Sequence, residues 1–225
     1  MSEKQVIIRQ ADVKDIDRIL EINNLAWGAD LKNTIDDYVE RFKTFPEGEI
    51  GAYLDGKVVG IISSLIIQSV TPEDVPSTWA DVSDNGKIRN SHNPRGNSLV
   101  CFSVGVDPNA RGLNIGRLLV NAQADLARKL GLKRVYAYSR PSSYRHFKNK
   151  FYADLSDEDF LKQLPIEEYL TLGRDGQPRK EGERLYDVVI GMHDNNGARI
   201  VRIIPGGRLE DKDAYSYNVL LEYSL

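Results

Sequence analysis

The stretch from Leu99 to Leu130 constrains the fold more than any other part of the chain. It opens with LVCFSVGV, an apolar run rich in β-branched residues that suits a buried strand. A turn follows, carrying Pro108, Gly112, Asn114 and Gly116. Ile115, Leu118, Leu119, Ala122 and Leu126 then recur at the spacing of one helix face, and Gly131 supplies the stop. A buried strand that feeds a glycine-rich turn and a helix start builds an anion site. The first helical N–H groups have no intrahelical partner, and the helix dipole adds about half a positive charge there. Gly112 and Gly116 leave the backbone open to a phosphate. Arg111 and Arg117 bracket the turn with charge-assisted donors.

The turn is not a P-loop, because no Gly-Lys-Ser/Thr follows it. It is a poor dinucleotide fingerprint, because the first spaced glycine pair is missing and it sits mid-chain. It resembles the acyl-CoA signature of the GNAT superfamily of acetyltransferases, Gln/Arg-x-x-Gly-x-Gly/Ala. Here the motif is Arg111-Gly112-Leu113-Asn114-Ile115-Gly116, with Val106-Asp107-Pro108 before it and Leu118-Leu119 after it. Asn114 stands where the family usually has glycine, and Asn adopts the left-handed conformation more readily than most residues. The wider pattern is similar to the GNAT domains that occur fused to carbon–nitrogen hydrolases. It includes Phe45-Pro46-Glu47-Gly48, Arg140 with Tyr144, and Gly197-Ala198 before the last strands.

The resemblance implies an α/β (α+β) fold with a mixed, mostly antiparallel central sheet flanked by helices on both faces. It implies acyl-CoA-dependent N-acyl transfer, with acetyl-CoA or another acyl-CoA as cosubstrate and a small-molecule or peptide amine as acceptor. In that family the amine attacks the thioester directly, so the gain comes from positioning and from polarising the carbonyl. By family geometry, the amides of Val104 and Val106 orient the pantetheine arm. Those of Gly112, Leu113, Asn114, Ile115, Gly116 and Arg117, with Arg111, hold the pyrophosphate. Tyr144 is placed to protonate the departing thiolate, or else to pack on the core. The family's usual central-strand carboxylate is absent from Leu99–Val106. The base is then an acid from a long loop, His92, His146, His193 or water. The missing base also leaves open other acyl-CoA chemistry, either carrier-thiol transfer or decarboxylation, and a non-catalytic sensor. GNAT domains often dimerise, which implies a possible homodimer.

Composition removes several classes. With 30 basic and 33 acidic residues the net charge is −3, and a near-neutral, slightly acidic chain argues against nucleic-acid binding. Cys101 is the one cysteine, which excludes an intrachain disulfide and reads as a core thiol. Three scattered histidines show no metal-ligand spacing, so no metal is expected. No apolar run approaches the roughly 20 residues that span a bilayer, and Met-Ser-Glu-Lys-Gln is no signal peptide, so the expected setting is cytoplasmic.

At 225 residues the chain reads as one domain, 1–225, with long insertions at about 71–97 and 152–184. Val6 to Arg9 is the first strand, and Asp12 to Asp15 opens a helix. Ile35 to Phe42 is a second helix. Asp55-Gly56 joins two apolar runs as a hairpin. Residues 71–97 are polar and long for a connection: a surface loop, or a substrate lid with Trp79 and His92 facing a pocket. Lys133 to Ser139 is a strand parallel to the central one. Arg140 flanks the acceptor side. Ser156 caps a helix start, Ile166 to Leu172 adds another turn, and residues 173–182 read as charged and mobile. Ala198 to Ile204 and Ser216 to Tyr223 close the sheet.

Overall fold

The computed structural model describes residues 5–27, 31–110 and 112–225. Its strands are β1 (Ile7–Gln10), β2 (Glu49–Leu54), β3 (Lys57–Ile67), β4 (Ser98–Val106), β5 (Arg134–Ser139), β6 (Ala198–Ile204) and β7 (Asn218–Tyr223). Among the described residues they form one seven-stranded sheet in the order β1-β2-β3-β4-β5-β7-β6. Every neighbouring pair is antiparallel except β4 and β5. The β2–β3 turn places Asp55 at φ 50° and Gly56 at φ 77°. Two positive φ values in a two-residue loop match the right-handed twist of the strands they join.

Helices α1 (Ile16–Trp27) and α2 (Ile35–Thr44) lie on one face and α4 (Ile115–Lys129) on the other. Adjacent positions of β3 show how. Ile61 packs with Ile19 and Ile22 of α1. A Cβ on the neighbouring Gly60 would sit 2.7 Å from Ile115 and 3.2 Å from Leu119 of α4. The bare backbone at Gly60 is what lets α4 settle on the sheet. Its buried face is rotated from the expected one: Gln123 is buried, whereas Leu118, Ala122 and Leu126 are half-buried. The Gln123 amide donates to the Gly48 carbonyl at 3.0 Å, which makes a buried polar residue tolerable.

Residues 71–97 carry a short helix, α3 (Trp79–Ser83), and are fastened to the sheet. The Arg202 guanidinium donates to the carbonyls of Pro72, Glu73, Val75 and Pro76. The Tyr138 hydroxyl donates to the Ser77 carbonyl at 2.9 Å, and the Trp79 amide to that of Gly207 at 2.8 Å.

Four helices follow β5: α5 (Tyr144–Phe151), α6 (Asp157–Gln163), α7 (Ile166–Tyr169) and α8 (Val188–Asp194). Ser156 caps α6 as expected, accepting from the Asp159 amide. Residues 173–182 are not an unpaired run. Leu172 bridges Pro178, and Gly173 bridges Leu185. Among the described residues no helix is long and apolar enough to cross a membrane.

Candidate active site

The site begins where β4 and β5 part. Their parallel pairing runs from Ser98 opposite Arg134 to Cys101 opposite Ala137 and ends there. The cause lies in β4. Ser63 of β3 pairs Ser103 and Ser64 pairs Cys101, so Phe102 is an extra residue, and such a bulge bends its strand and strengthens the local twist. Past the bulge β4 stays with β3 while Tyr138 and Ser139 of β5 stay with β7. A wedge-shaped cleft opens between them, walled by Ser103 and Val104 on one side and Ser139 and Arg140 on the other.

At the end of β4 a short 3-10 turn, Pro108–Ala110, leads into the glycine turn. Gly112 sits at φ 89° with open space around it, so only its backbone conformation calls for glycine. Asn114 sits at φ 54°, ψ 26° as the N-cap of α4, so asparagine takes the left-handed conformation that the family's usual glycine would. The first helical bond runs from the Leu118 amide to the Asn114 carbonyl. The amides of residues 115–117 are therefore the free donors of this helix start. Leu113, Asn114 and Arg117 are exposed around it. Gly116 has a different role: a Cβ there would lie 2.6 Å from the Met192 sulfur of α8. It makes room for α8 against α4. Arg111 lies outside the described residues.

Helix α8 closes the cleft, contributing Val189 and His193. Asp187 caps it, accepting from the amides of Val189 and Ile190, and also from the Ser143 amide and the Tyr169 hydroxyl. His193 Nδ1 lies 2.5 Å from the Tyr223 hydroxyl. Burial pushes the imidazole down to about 4, so it is neutral at pH 7. Cys101, also in the wall, is pushed up to about 12 by burial, so it stays a thiol and no nucleophile. Trp27 at the end of α1 forms the floor, its indole N–H buried and without a partner among the described residues. The Arg140 and Arg208 guanidinium carbons lie 5.6 and 5.2 Å from the Trp27 ring. Arg140 Nε is 2.8 Å from an Asp211 oxygen, but the contact is poorly directed and neither atom gains a hydrogen bond.

Of the residues expected at the site, Val104 and Arg140 line this cleft, and Val106 lies further along β4, outside its lining. Trp79 takes a neighbouring position: its indole N–H donates to the Phe102 carbonyl at 3.2 Å, at the bulge itself. Tyr144 is not brought to the cleft. It is fully buried among Phe160, Tyr169 and Tyr215, and its hydroxyl donates to the Leu164 carbonyl at 2.5 Å. Helices α6 and α7 build that aromatic cage over α5, and burial raises the phenol. His92 does not face the cleft either. Its Nδ1 accepts the Ile66 amide at 3.2 Å and its ring stacks on Phe45 at 4.6 Å. Trp27, Arg208 and Ser139 escaped sequence reasoning, because they lie on three segments that only the fold assembles. Among the described residues no cluster of histidine, cysteine and carboxylate side chains could hold a metal.

A splayed sheet with a glycine turn and a bare helix start beside the splay defines an acyl-CoA-binding α/β fold. The chain belongs to the acetyltransferase (GNAT) family, whose model matches residues 16–154. It is 28% identical over 222 residues to the probable hydrolase YhcX of Bacillus subtilis (strain 168), covering 99% of this chain and 39% of that protein. The chain thus spans well under half of that relative's length. It is also 28% identical to the uncharacterized N-acetyltransferase YkwB of the same organism, over 96% of this chain and 87% of that one. Among solved structures, the GphF GNAT-like decarboxylase in complex with isobutyryl-CoA is 26% identical, with a TM-score of 0.71 and coverage of 97% and 98% of the two chains.

Proposed function

We propose that this chain transfers an acyl group from acyl-CoA to an amine by direct attack on the thioester. The observation that carries the reading is the cleft itself, which joins an open β4 edge to a helix start free to bind phosphate and holds a neutral imidazole in its wall. In this reading the backbone at Val104 and Val106 positions the pantetheine arm. The backbone from Gly112 to Arg117, with Arg111 in the same turn, holds the pyrophosphate. Trp79 and Arg140 border the acceptor. His193 replaces the missing strand carboxylate: with Nδ1–H given to the Tyr223 oxygen, Nε2 keeps a lone pair for the amine proton. Tyr144 has no part in it. The test is thiol release from acetyl-CoA over a panel of amines, with mass spectrometry of the product. Amine-dependent release that falls about 100-fold or more in His193→Gln supports the reading, since positioned acid–base groups contribute factors of about 10² to 10⁴. CoA binding without amine-dependent release refutes it.

A second reading, decarboxylation of a carboxylated acyl-CoA, is favoured by one feature. Among the described residues that line the cleft there is no carboxylate, while Arg140, ion-paired with Asp211 and Asp213, stands in its wall with no hydrogen bond made by its Nε. Such a wall suits an acyl group that is itself an anion, and the GphF relative is a decarboxylase. Release of carbon dioxide from malonyl-CoA with no amine present would decide for this reading.

A further inference from the structure

Beside the cleft lies a second hollow, between the start of α2, the α3 segment and the β6–β7 turn. Arg208 stands at its inner wall, and its surroundings are unusual for an arginine. Its guanidinium carbon lies 3.9 Å from the Trp79 ring and 5.2 Å from the Trp27 ring. One tryptophan belongs to the hollow and the other to the acyl cleft. Among the described residues the guanidinium makes no ion pair within 4 Å and donates no side-chain hydrogen bond. Asp211 and Glu210 act on it only through their fields, opposed by Arg140 and Arg41. Burial pushes it down to about 10, so it keeps its charge at pH 7. The rim is mixed, with the carboxylates Asp37 and Glu210 alongside Lys32, Thr78 and Asn85, so Arg208 rather than the rim supplies the attraction for an anion. A planar cation held between aromatic rings, with its donor fork unspent, is the arrangement that takes a carboxylate in two parallel hydrogen bonds.

We infer that Arg208 is the receptor for a carboxylate carried by the acceptor, so that the acceptor class is an amine bearing an acid group, such as an amino acid. The inference deepens the transferase reading and rests on it for the word acceptor. The carboxylate would enter by the hollow and dock on Arg208, and the amine would reach past Trp27 toward His193. The alternative source of the same chemistry is a carboxylate on the acyl group, arriving from the cleft side.

The chain has two tryptophans, Trp27 and Trp79, and both flank Arg208. Intrinsic fluorescence of the full chain therefore reports on this site without turnover. The probes are glycine and glutamate against glycinamide, and malonyl-CoA against acetyl-CoA. The expected result is a saturable emission change with glycine and glutamate and none with glycinamide. In Arg208→Gln the half-saturation concentration should rise about 10- to 100-fold, the range for a hydrogen bond to a charged group. Should that variant fold poorly, Arg208→Lys keeps the charge, lacks the fork, and should bind more weakly than the wild type. Equal responses to glycine and glycinamide, or none to either, overturn the inference. A response to malonyl-CoA alone puts the carboxylate on the acyl group and overturns the acceptor assignment. If the carboxylate response is present but no amine releases thiol from acetyl-CoA, the transferase reading fails while the anion site stands.

Discussion

Glu49 should make the stability of this protein fall as pH rises from about 4.5 toward neutrality. It lies at the start of β2 with no exposed surface, and its carboxylate accepts the Ser63 hydroxyl at 2.7 Å. Ser63 in turn accepts from buried Arg41 at 3.4 Å, so one hydroxyl bridges the two charges. Burial raises the carboxyl from 4.5 to about 7, against the opposing pull of Arg41 and the Ser63 hydrogen bond. In the folded chain the proton is held more tightly than in the unfolded one. Stability is therefore full below the unfolded value, declines between about pH 4.5 and 7, and is flat above. At 1.36 kcal/mol per unit the decline is about 3 kcal/mol. Glu49→Gln removes the titration while its amide oxygen still accepts from Ser63. The pull of Arg41 is already part of the value near 7, so the pH-dependence of the difference between the two proteins is the quantity to read. Urea unfolding followed by circular dichroism, in steps from pH 5 to 8, gives both curves. The wild type minus Glu49→Gln difference should fall by about 3 kcal/mol across that window. A difference that does not change with pH would refute the reasoning.

Tyr144→Phe should cost about 1–3 kcal/mol by leaving the buried Leu164 carbonyl unpaired, with turnover per folded molecule unchanged. A 100-fold loss of kcat at full folding would instead return the phenol to the chemistry. Gly112→Ala meets no neighbour but must hold φ 89°, a left-handed strain of about 1–2 kcal/mol. CoA affinity by calorimetry should drop about tenfold, and an unchanged affinity would remove this turn from the binding site. Cys101, with its thiol pushed up to about 12, should resist iodoacetamide at pH 8 and label only after unfolding. Fast labelling of the native chain would contradict its burial.

Local patterns determined much of this protein. The hairpin at Asp55-Gly56 needs only a two-residue turn between apolar runs. The strand, glycine turn and helix over Leu99–Leu130 need only periodicity, and Asn114 in the left-handed conformation needs only its own side chain. These are nearest-neighbour effects in the chain, and the family motif rests on them. What the tertiary structure alone decided is which side chains face the chemistry. Tyr144 is in the expected helix, yet α6 and α7 cap it with aromatic rings and its hydroxyl is used up on Leu164. His92 is in the expected segment, yet it closes a backbone bond to Ile66. His193 and Trp27 become neighbours of one cleft although 166 residues of chain numbering separate them, because β4 bulges at Phe102 and α8 finds room at Gly116, and Arg208 reaches Trp27 from the hollow beside it. Periodicity reports which face of an element is apolar. It carries no information on which distant segment will cover that face, and the reacting groups of this fold are supplied by those distant segments.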